Sequence, residues 1–392
     1  MRSNPVFPEL ALAADQVPAT FLIDGRTLVD SRQRIQAQDL SLKPALDKLL
    51  IDAAEALRSG SYSIMNKQTV PPSGDKHDYT SLARYWWPDP AKLNGLPFIW
   101  RDGETNPESQ EQNTDYFQLS TMAKSIETLS VAYFLTGKEQ YVEKAQQQLR
   151  TWFLNSETRM NPNLNYSQAI RGVVPGRRTG VLDGKKFCQV LDGIILLSLS
   201  KKFSVLEALR DWFSRYLNWL KTSKLALEES EEKNNHGTFF DVQIMHIALF
   251  VGDTATARQV AQAAVKKRIL QQISSNGKQP HELKRTRTLH YTLYNLWGLF
   301  LAARLAEHVD VDLWDAENSR LRAALDFVAP YADPTKKWPH PTINEADRLR
   351  LFPHLQRAAA VYENGPYKEL IEKLPLAKRE VLREQLVAPL AG

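Results

Sequence analysis

The stretch that decides the fold is YFQLSTMAKSIETLSVAYFLTG, residues 116–137. Its apolar side chains recur every three or four residues, which is the spacing of one face of an α-helix. These side chains are Tyr116, Leu119, Met122, Ile126, Leu129 and Tyr133. Gly137 ends the pattern, as glycine commonly does just past the last helical turn. The stretch therefore predicts a long helix with a buried face.

Helical patterns of this kind fill most of the chain. An earlier one runs from Leu42 to Leu57, and the one after Gly137 runs from Gln140 to Leu154. The later ones cover about 187–200, 204–222, 239–251, 255–273, 288–307, 313–328 and 344–359. No alternating β-branched run indicates a substantial sheet, and short turns place successive helices antiparallel. We therefore expect an all-α fold, an (α/α) toroid of antiparallel helical hairpins, as one domain over residues 1–392.

Two segments lack this periodicity. Residues 1–40 are expected to be irregular. Residues 60–113 are rich in proline and glycine, which predicts a long ordered loop. Long loops in compact proteins are usually functional. We expect this loop on the substrate side of the toroid.

Composition narrows the class of partner. The net charge of +5 and the pI of about 9.0 favour a polyanion. No zinc-ligand framework, basic-region zipper or RNA-recognition signature points to nucleic acid. No apolar run approaches the length of a membrane span. The first residues lack the apolar core of a signal peptide, so we expect a cytoplasmic protein, or a periplasmic or secreted one if an export signal has been removed.

Two polar patches carry the chemistry. The first is Asn234-Asn235-His236-Gly237, where a loop turns into a helix. The second runs from Glu282 through Arg285 to His290-Tyr291. Buried amides and imidazoles are costly without partners, so their clustering at a helix start indicates a site. Together the patches offer an amide, a neutral base, a fixed cation and a phenol.

Those groups suit elimination from a 4-linked uronic acid. The reaction needs a neutralised carboxylate, a base for H5 and an acid for the departing O4. Asn235 can hydrogen-bond the carboxylate, and His236 can be the base or part of the same clamp. Tyr291 can be the acid, or both base and acid if Arg285 lowers the pKa of its phenol.

Other polar and aromatic residues are expected to bind the substrate. In the loop they stand before a Pro-Asp-Pro turn, and a third patch at 171–183 offers arginines that can hold carboxylates bidentately. The substrate-binding candidates are Lys76, His77, Tyr79, Trp86, Trp87, Arg177, Asn234 and His290.

Two other classes stay open on the residues alone. A hydrolase would use paired carboxylates, for which the candidates are Asp183, Asp192, Glu231, Glu232 and Asp241. A non-catalytic helical protein would bind polyanions through its basic residues. His281, Glu282 and His290 match no common metal-site spacing, and no phosphate loop or dinucleotide fingerprint is present. We therefore expect neither a metal nor a cofactor.

The motifs taken in order resemble a known family. They are Lys76-His77-Asp78-Tyr79, Trp86-Trp87-Pro88-Asp89-Pro90, Asn234-Asn235-His236-Gly237, and Glu282 with Arg285-Thr286-Arg287 and His290-Tyr291. Over roughly residues 60–360 the chain resembles the alginate lyase domain superfamily. It looks closer to polysaccharide lyase family 38, which holds alginate and glucuronan lyases, than to family 5. The residues after His236 and the Arg285-Thr286-Arg287 run depart from the family-5 pattern, which keeps glucuronan open as a substrate.

The resemblance implies an (α/α) toroid with a substrate groove and a metal-independent β-elimination. Asn235 would then neutralise the carboxylate with help from His236 and Arg285, and Tyr291 would protonate the leaving oxygen. For mannuronate or glucuronate, Tyr291 would also be the base. For guluronate, whose H5 and O4 lie on opposite faces, His236 would be the better base.

Overall fold

The computed structural model describes residues 16–343, 347–362 and 364–388. Its longer helices are α1 (Gly25–Gln36), α2 (Lys43–Arg58), α3 (Asp115–Thr136), α4 (Glu139–Leu149), α5 (Phe187–Leu197), α6 (Leu206–Thr222), α7 (Lys224–Ser230), α8 (Asn235–Val251), α9 (Thr254–Ala264), α10 (Thr288–Glu307), α11 (Ala316–Val328) and α12 (Phe352–Val361). Three short helices follow: α13 (Tyr367–Glu372), α14 (Leu376–Arg379) and α15 (Glu384–Val387). None of these helices is long and apolar enough to cross a membrane.

Three helices form the inner layer of an (α/α) toroid together with α5. In α3, 16 of 22 residues are buried, in α8 15 of 17, and in α10 14 of 20, so they are covered on almost every side. The α3 helix packs on α5, α5 on α8, and α8 on α10. By contrast, only 3 of 16 residues are buried in α2 and 3 of 11 in α9, which are outer helices with one apolar face. The helical toroid that the sequence predicts is confirmed.

Strands are few and short in the described residues. β1 (Thr80–Leu82) pairs in parallel with β4 (Tyr166–Ala169). β2 (Trp86–Trp87) pairs antiparallel with β3 (Ile99–Trp100). Three of the four strands lie in the predicted loop 60–113, which is therefore an ordered segment with its own hydrogen bonds.

Some helices begin elsewhere than the periodicity predicts. The expectation of an irregular start is wrong for α1, which Asp24 caps by accepting a hydrogen bond from the Thr27 N–H. Polar residues outnumber apolar ones in α1, so periodicity does not reveal it. The α8 helix begins at Asn235 rather than near 239, because Asn234 caps it with its side-chain oxygen. Residues 344–346, inside the last predicted run, lie outside the described residues, and α12 begins only at Phe352.

The inner helices bring their N-terminal ends together. Lys186, just before α5, has its Nζ 5.9 Å from the Tyr116 ring at the start of α3. Lys185 has its Nζ 4.8 Å from the Phe239 ring of α8 and 4.2 Å from the Tyr294 ring of α10. Helix N-termini carry partial positive charge, so this end of the toroid favours an anion.

A buried guanidinium fixes the turn that leads into α8. Arg268, 2% exposed, donates from Nε and Nη2 to the two oxygens of Asp241 at 2.8 and 2.9 Å. It also donates from Nη1 to the Glu232 carbonyl at 3.0 Å and from Nη2 to the Ser230 carbonyl at 2.8 Å. These bonds join the end of α7 to the second turn of α8, so the residues between them have little freedom.

Gly237 is required where this guanidinium passes beneath α8. A Cβ at that position would lie 2.1 Å from the Glu232 carbonyl oxygen and 2.6 Å from Arg268 Nη1. Real Cβ atoms do not approach so closely, and the backbone carbonyl has no room to move. The glycine after His236 in the sequence is therefore a packing requirement.

We expect Gly237→Ala to lower the free energy of unfolding by about 2–3 kcal/mol, because the methyl group displaces Arg268 or the 230–235 turn. Chemical denaturation measures this. Gly60→Ala is the matched control, because nothing lies within 4 Å of a Cβ there. Its unfolding free energy should stay within about 0.5 kcal/mol of the parent protein. Equal stability of the two variants would contradict the packing account.

Candidate active site

Asn235 is held by a buried carboxylate. Its backbone N–H donates to Glu282 Oε1 at 2.7 Å, and its Nδ2 lies 3.1 and 2.9 Å from the two Glu282 oxygens. Both residues are 1% exposed. Burial raises the pKa of Glu282, although the Asn235 hydrogen bonds oppose it. Because both oxygens belong to one carboxylate, they engage one side of the amide nitrogen, which has a second N–H donor.

His236 is held by a second buried carboxylate. Its Nδ1 lies 2.5 Å from Oε1 of Glu229, which belongs to α7 and is 1% exposed. Burial works to lower the pKa of His236, but the carboxylates of Glu229, Glu232 and Glu282 outweigh it and raise the pKa above its usual value. With Nδ1 occupied, Nε2 is the nitrogen left to meet a ligand.

Tyr291 lies one turn into α10 and shares its hydroxyl with two partners. Arg285 donates from Nη2 to Tyr291 Oη at 2.9 Å, and Tyr85 Oη lies 2.6 Å away. The Arg285 guanidinium carbon is also 3.9 Å from the centre of the Tyr291 ring. Asp102, from the 60–113 loop, accepts from Arg285 Nη2 at 2.6 Å and thereby fixes the guanidinium over the phenol.

The pKa of Tyr291 moves opposite to the direction that the sequence predicts. Arg285 does lower this pKa, but burial raises it by more, and the Tyr85 hydroxyl adds to the rise. The net effect is a pKa well above the ordinary tyrosine value. The expected phenolate is therefore not the resting state, and Tyr291 carries its proton.

The four predicted catalytic residues lie together. Asn235 and His236 begin α8, while Arg285 precedes α10 by three residues and contacts Tyr291. Glu282 connects the two patches, because it bonds Asn235 and its charge acts on both Arg285 and His236. The sequence does not reveal that Glu229, Glu282, Asp102 and Tyr85 hold these groups, since each partner comes from a distant or separate element.

Several cations near this centre have no carboxylate within 4.0 Å among the described residues. Arg84 donates to the Tyr116 hydroxyl at 2.6 Å, and Lys185 donates to the Tyr294 hydroxyl. Burial lowers the pKa of Lys185 to about 7, helped by repulsion from Lys186 and Arg84. The sequence motifs do not identify these cations as site residues. One signal was available, because Lys185 and Lys186 stand directly before a helix, where cations oppose the helix dipole.

The predicted substrate-binding residues divide into two groups. Tyr79 is fully buried and donates its hydroxyl to Asp183 at 3.1 Å, so it supports the structure and does not face a ligand. His77 lies against the turn at 158–163 through a 2.6 Å contact between its Nδ1 and the Arg159 carbonyl, with Lys76 half-buried beside it. Asn234 caps α8, as described above, so its side-chain oxygen is already in use.

Arg177 and His290 are both partly engaged by neighbouring residues. Arg177 donates to the Gln168 carbonyl at 3.1 Å and to its side-chain oxygen at 3.0 Å, and it has no ion-pair partner in the described residues. His290 accepts from Arg350 at 2.9 Å, and burial with that charge lowers the pKa of His290 to about 3, so the ring is neutral.

The two tryptophans have separate environments. Trp86 packs on the small cluster of Ala83, Phe98 and Ile170. Trp87 is half-buried and donates its indole N–H to the Glu104 carbonyl at 3.0 Å. Their rings are therefore partly used by the protein itself.

The carboxylates considered for hydrolysis all have protein partners. Asp241 is bound by Arg268, Asp192 accepts from the backbone N–H groups of residues 21–23, and Glu232 pairs with Arg178. Asp183 accepts from Ser81 at 2.7 Å, and Glu231 pairs with Lys267 at 2.7 Å. Within the described residues no cluster of three or more His, Cys, Asp or Glu side chains has a metal-binding arrangement.

Comparison with known proteins finds a matching family and similar structures. The family model described as alginate lyase matches residues 63–338. An alginate lyase from Bacteroides ovatus is 36% identical, with a TM-score of 0.90 over 95% of this chain and 99% of that one. No curated protein sequence matches the chain.

Two more distant structures share the fold. A variant of alginate lyase A1-III complexed with a tetrasaccharide is 17% identical, with a TM-score of 0.61 over 97% of this chain and 98% of that one. Alginate lyase A1-III from Sphingomonas species A1 is 17% identical, with a TM-score of 0.58 over 95% and 98% of the two chains. Because the family model spans well over half of the sequence, this chain belongs to the alginate lyase family and is a polysaccharide lyase.

Proposed function

We propose that this enzyme cleaves a 4-linked uronic-acid polymer, mannuronate-containing alginate or glucuronan, by β-elimination. The observation that carries the proposal is the Tyr291 hydroxyl, held between Arg285 at 2.9 Å and Tyr85 at 2.6 Å beside an amide and an imidazole. The alginate lyase from Bacteroides ovatus, at 36% identity, supports an alginate-type substrate.

The first requirement is to neutralise the uronate carboxylate, so that H5 becomes acidic. The second N–H of Asn235 can donate to it, and His236 can donate from Nε2 when protonated. The raised pKa of His236 favours that protonated form. Arg285 is already engaged by Asp102 and Tyr291, so we assign its charge to the phenol rather than to the carboxylate. This differs from the role that the family resemblance implies.

The second requirement is a proton transfer on one face of the sugar. Tyr291 first releases its proton to solvent, and the resulting phenolate, stabilised by Arg285, then takes H5 while the C5–H electrons pass into the enolate of the carboxylate. The enolate then expels O4, which receives the proton from Tyr291. The products are a new hydroxyl end and a 4,5-unsaturated uronate, and no water is consumed. One residue suffices where H5 and O4 lie on the same face, as in mannuronate and glucuronate.

The third requirement is to hold a polyanion. Arg84, Arg177 and Lys185 have no carboxylate partner within the described residues, whereas Arg178, Arg268 and Arg285 do. Cations left unpaired around a groove attract anionic ligands. The N-terminal ends of the inner helices add to this attraction.

The direct test is the ultraviolet absorbance of the purified enzyme with polymannuronate, polyguluronate and glucuronan in separate assays. We expect an unsaturated-uronate band to rise fastest with polymannuronate or glucuronan. New reducing ends without that band would indicate hydrolysis instead. A fastest rise with polyguluronate would contradict the same-face mechanism.

Tyr291→Phe removes one oxygen and leaves the ring packing intact. We expect kcat to fall by about 10³-fold or more, the scale of lost acid–base catalysis, with substrate affinity within a few-fold. Tyr331→Phe, in the turn after α11 where the ring packs on Trp338, is the matched control and should keep full activity. Retained turnover in Tyr291→Phe would rule out the proposed proton transfer.

The pH profile should report His236. The proposed active form has Tyr291 deprotonated and His236 protonated, which is one proton fewer than the fully protonated site. Because His236 has the lower pKa of the two, this form becomes populated as the pair loses its first proton, so kcat/KM should rise with pH through the pKa of His236, above the ordinary value of about 6.5, and then level off. Glu229→Gln removes the carboxylate that raises this pKa, so the midpoint of the rise should move to lower pH. An unchanged midpoint would mean that a group other than His236 determines how kcat/KM rises at low pH. Asp30→Asn, an exposed carboxylate on α1, is the control.

A further inference from the structure

Gln168 lies between a guanidinium and a carboxylate and binds both. Its Oε1 accepts a hydrogen bond from Arg177 Nη2 at 3.0 Å, and its Nε2 donates to Asp183 Oδ1 at 3.1 Å. One side chain can do this because an amide has an acceptor on one side and donors on the other. The backbone carbonyl of Gln168 also accepts from Arg177 Nε at 3.1 Å. A cation and an anion therefore share one neutral partner.

Arg177 and Asp183 are close to each other without forming an ion pair. Burial lowers the pKa of Arg177, and the Asp183 charge opposes that change, so the two groups are within electrostatic reach. Asp183 is 4% exposed, and its hydrogen-bond donors among the described residues are all neutral: the hydroxyls of Tyr79 and Ser81 and the amide of Gln168. A guanidinium and a carboxylate that can meet usually form paired hydrogen bonds. Here the Gln168 amide bonds to each of them instead.

The backbone of Gln168 is held in an unusual conformation. Its φ is 50°, in the left-handed region that few residues other than glycine adopt. Its N–H donates to Ser81 Oγ at 2.8 Å, and the same hydroxyl donates to Asp183 at 2.7 Å. Strained backbone of this kind persists where the surroundings fix it, and such positions are often functional. The conformation places the amide where it meets both charged groups.

Arg177 belongs to the surroundings of the catalytic candidates. The Glu229 carboxylate, which contacts His236, also acts on the pKa of Arg177. The next residue, Arg178, pairs with Glu232 at 2.5 Å, in the turn that leads into α8. Nη1 of Arg177 has no hydrogen-bond partner in the described part of the chain, because the two bonds to Gln168 use Nε and Nη2. The guanidinium thus has donors left for an anion.

We propose that Gln168 is a positioning residue whose amide separates Arg177 from Asp183 and so keeps the guanidinium available to a carboxylate of the substrate. This inference rests on the proposed function, because the ligand of Arg177 is the polyuronate itself. Without the amide, Arg177 turns to Asp183 and its charge is neutralised within the protein. Gln168 therefore contributes to substrate affinity and not to the proton transfer at Tyr291.

The first test measures kcat and KM of Gln168→Asn for formation of unsaturated uronate from polymannuronate. Asparagine tolerates the left-handed conformation, but its amide is one methylene too short to keep both bonds. We expect KM to rise about tenfold, the scale of one lost contact to a charged group, with kcat within about twofold. Gln38→Asn is the matched control, because Gln38 is an exposed glutamine with a φ of 61°. Both its kinetic constants should stay unchanged.

The second test repeats the substitution where Arg177 has been replaced by methionine. If Gln168 acts through Arg177, Gln168→Asn should change KM by less than about twofold in the Arg177→Met background. A purely structural role would raise KM by the same factor in both backgrounds, and that result would overturn the proposal. An unchanged KM in the single variant, or a loss confined to kcat, would overturn it as well.

The third test removes the competing charge. Asp183→Asn keeps the shape of the side chain but cannot neutralise a guanidinium. In that background Gln168→Asn should raise KM by less than about threefold, and a tenfold rise would contradict the separation of charges. If Asp183→Asn does not fold, the comparison in the Arg177→Met background decides the question.

A failure of the proposed function would look different. Absence of unsaturated product from the parent enzyme would refute the elimination itself. Electrophoresis of the same variants in gels containing polymannuronate then tests Gln168 without turnover. Weaker retardation of Gln168→Asn than of the parent and of Gln38→Asn supports the role of Gln168, and equal retardation of all three contradicts it.

Discussion

The active site depends on the buried guanidinium of Arg268. Four of its hydrogen bonds go to a carboxylate in α8 and to two backbone carbonyls of the preceding turn. A buried charge is tolerated only when it is fully paired, so these bonds leave the turn one conformation. That conformation starts α8 at Asn235 and excludes a side chain at residue 237. The Asn235 amide and the His236 imidazole thereby have fixed positions, and in the proposed mechanism this fixed placement provides the preorganisation that electrostatic catalysis requires.

The toroid explains how distant residues meet. The N-terminal ends of its inner helices lie at the same end of the toroid, so side chains near each helix start come close together. They are Tyr116 from α3, Lys185 from the turn before α5, Asn235 from α8 and Tyr291 from α10. The irregular segment 60–113 covers this end and contributes Tyr85 and Asp102. The helices hold the backbone of the site residues in place, and side chains of the loop orient Tyr291 and Arg285 through hydrogen bonds.

Sequence patterns predict the frame better than the details of the site. The spacing of apolar residues correctly predicts where α10 begins and ends, and it also predicts α3. Both helices show this spacing because their apolar side chains face the core. It misses α1, whose cap at Asp24 is a better signal than its weak apolar face. The motif residues Arg285 and Tyr291 contact each other, and Glu282 connects them to Asn235 and His236. The protonation of Tyr291 and the burial of Tyr79 were not predictable, because both depend on partners more than 100 residues away in sequence: Tyr85 for Tyr291 and Asp183 for Tyr79.

The protonation of Lys185 depends on whether an anion is bound near it, at the N-terminal ends of the inner helices. Its pKa is about 7 because burial and neighbouring cations disfavour the ammonium. An anionic sugar beside it offsets that repulsion, so the amine takes up a proton as the ligand binds. The empty groove is therefore less positive than its count of basic residues suggests, and the filled groove is more positive. If the polyanion binds beside Lys185 as proposed, its binding is coupled to proton uptake by this amine.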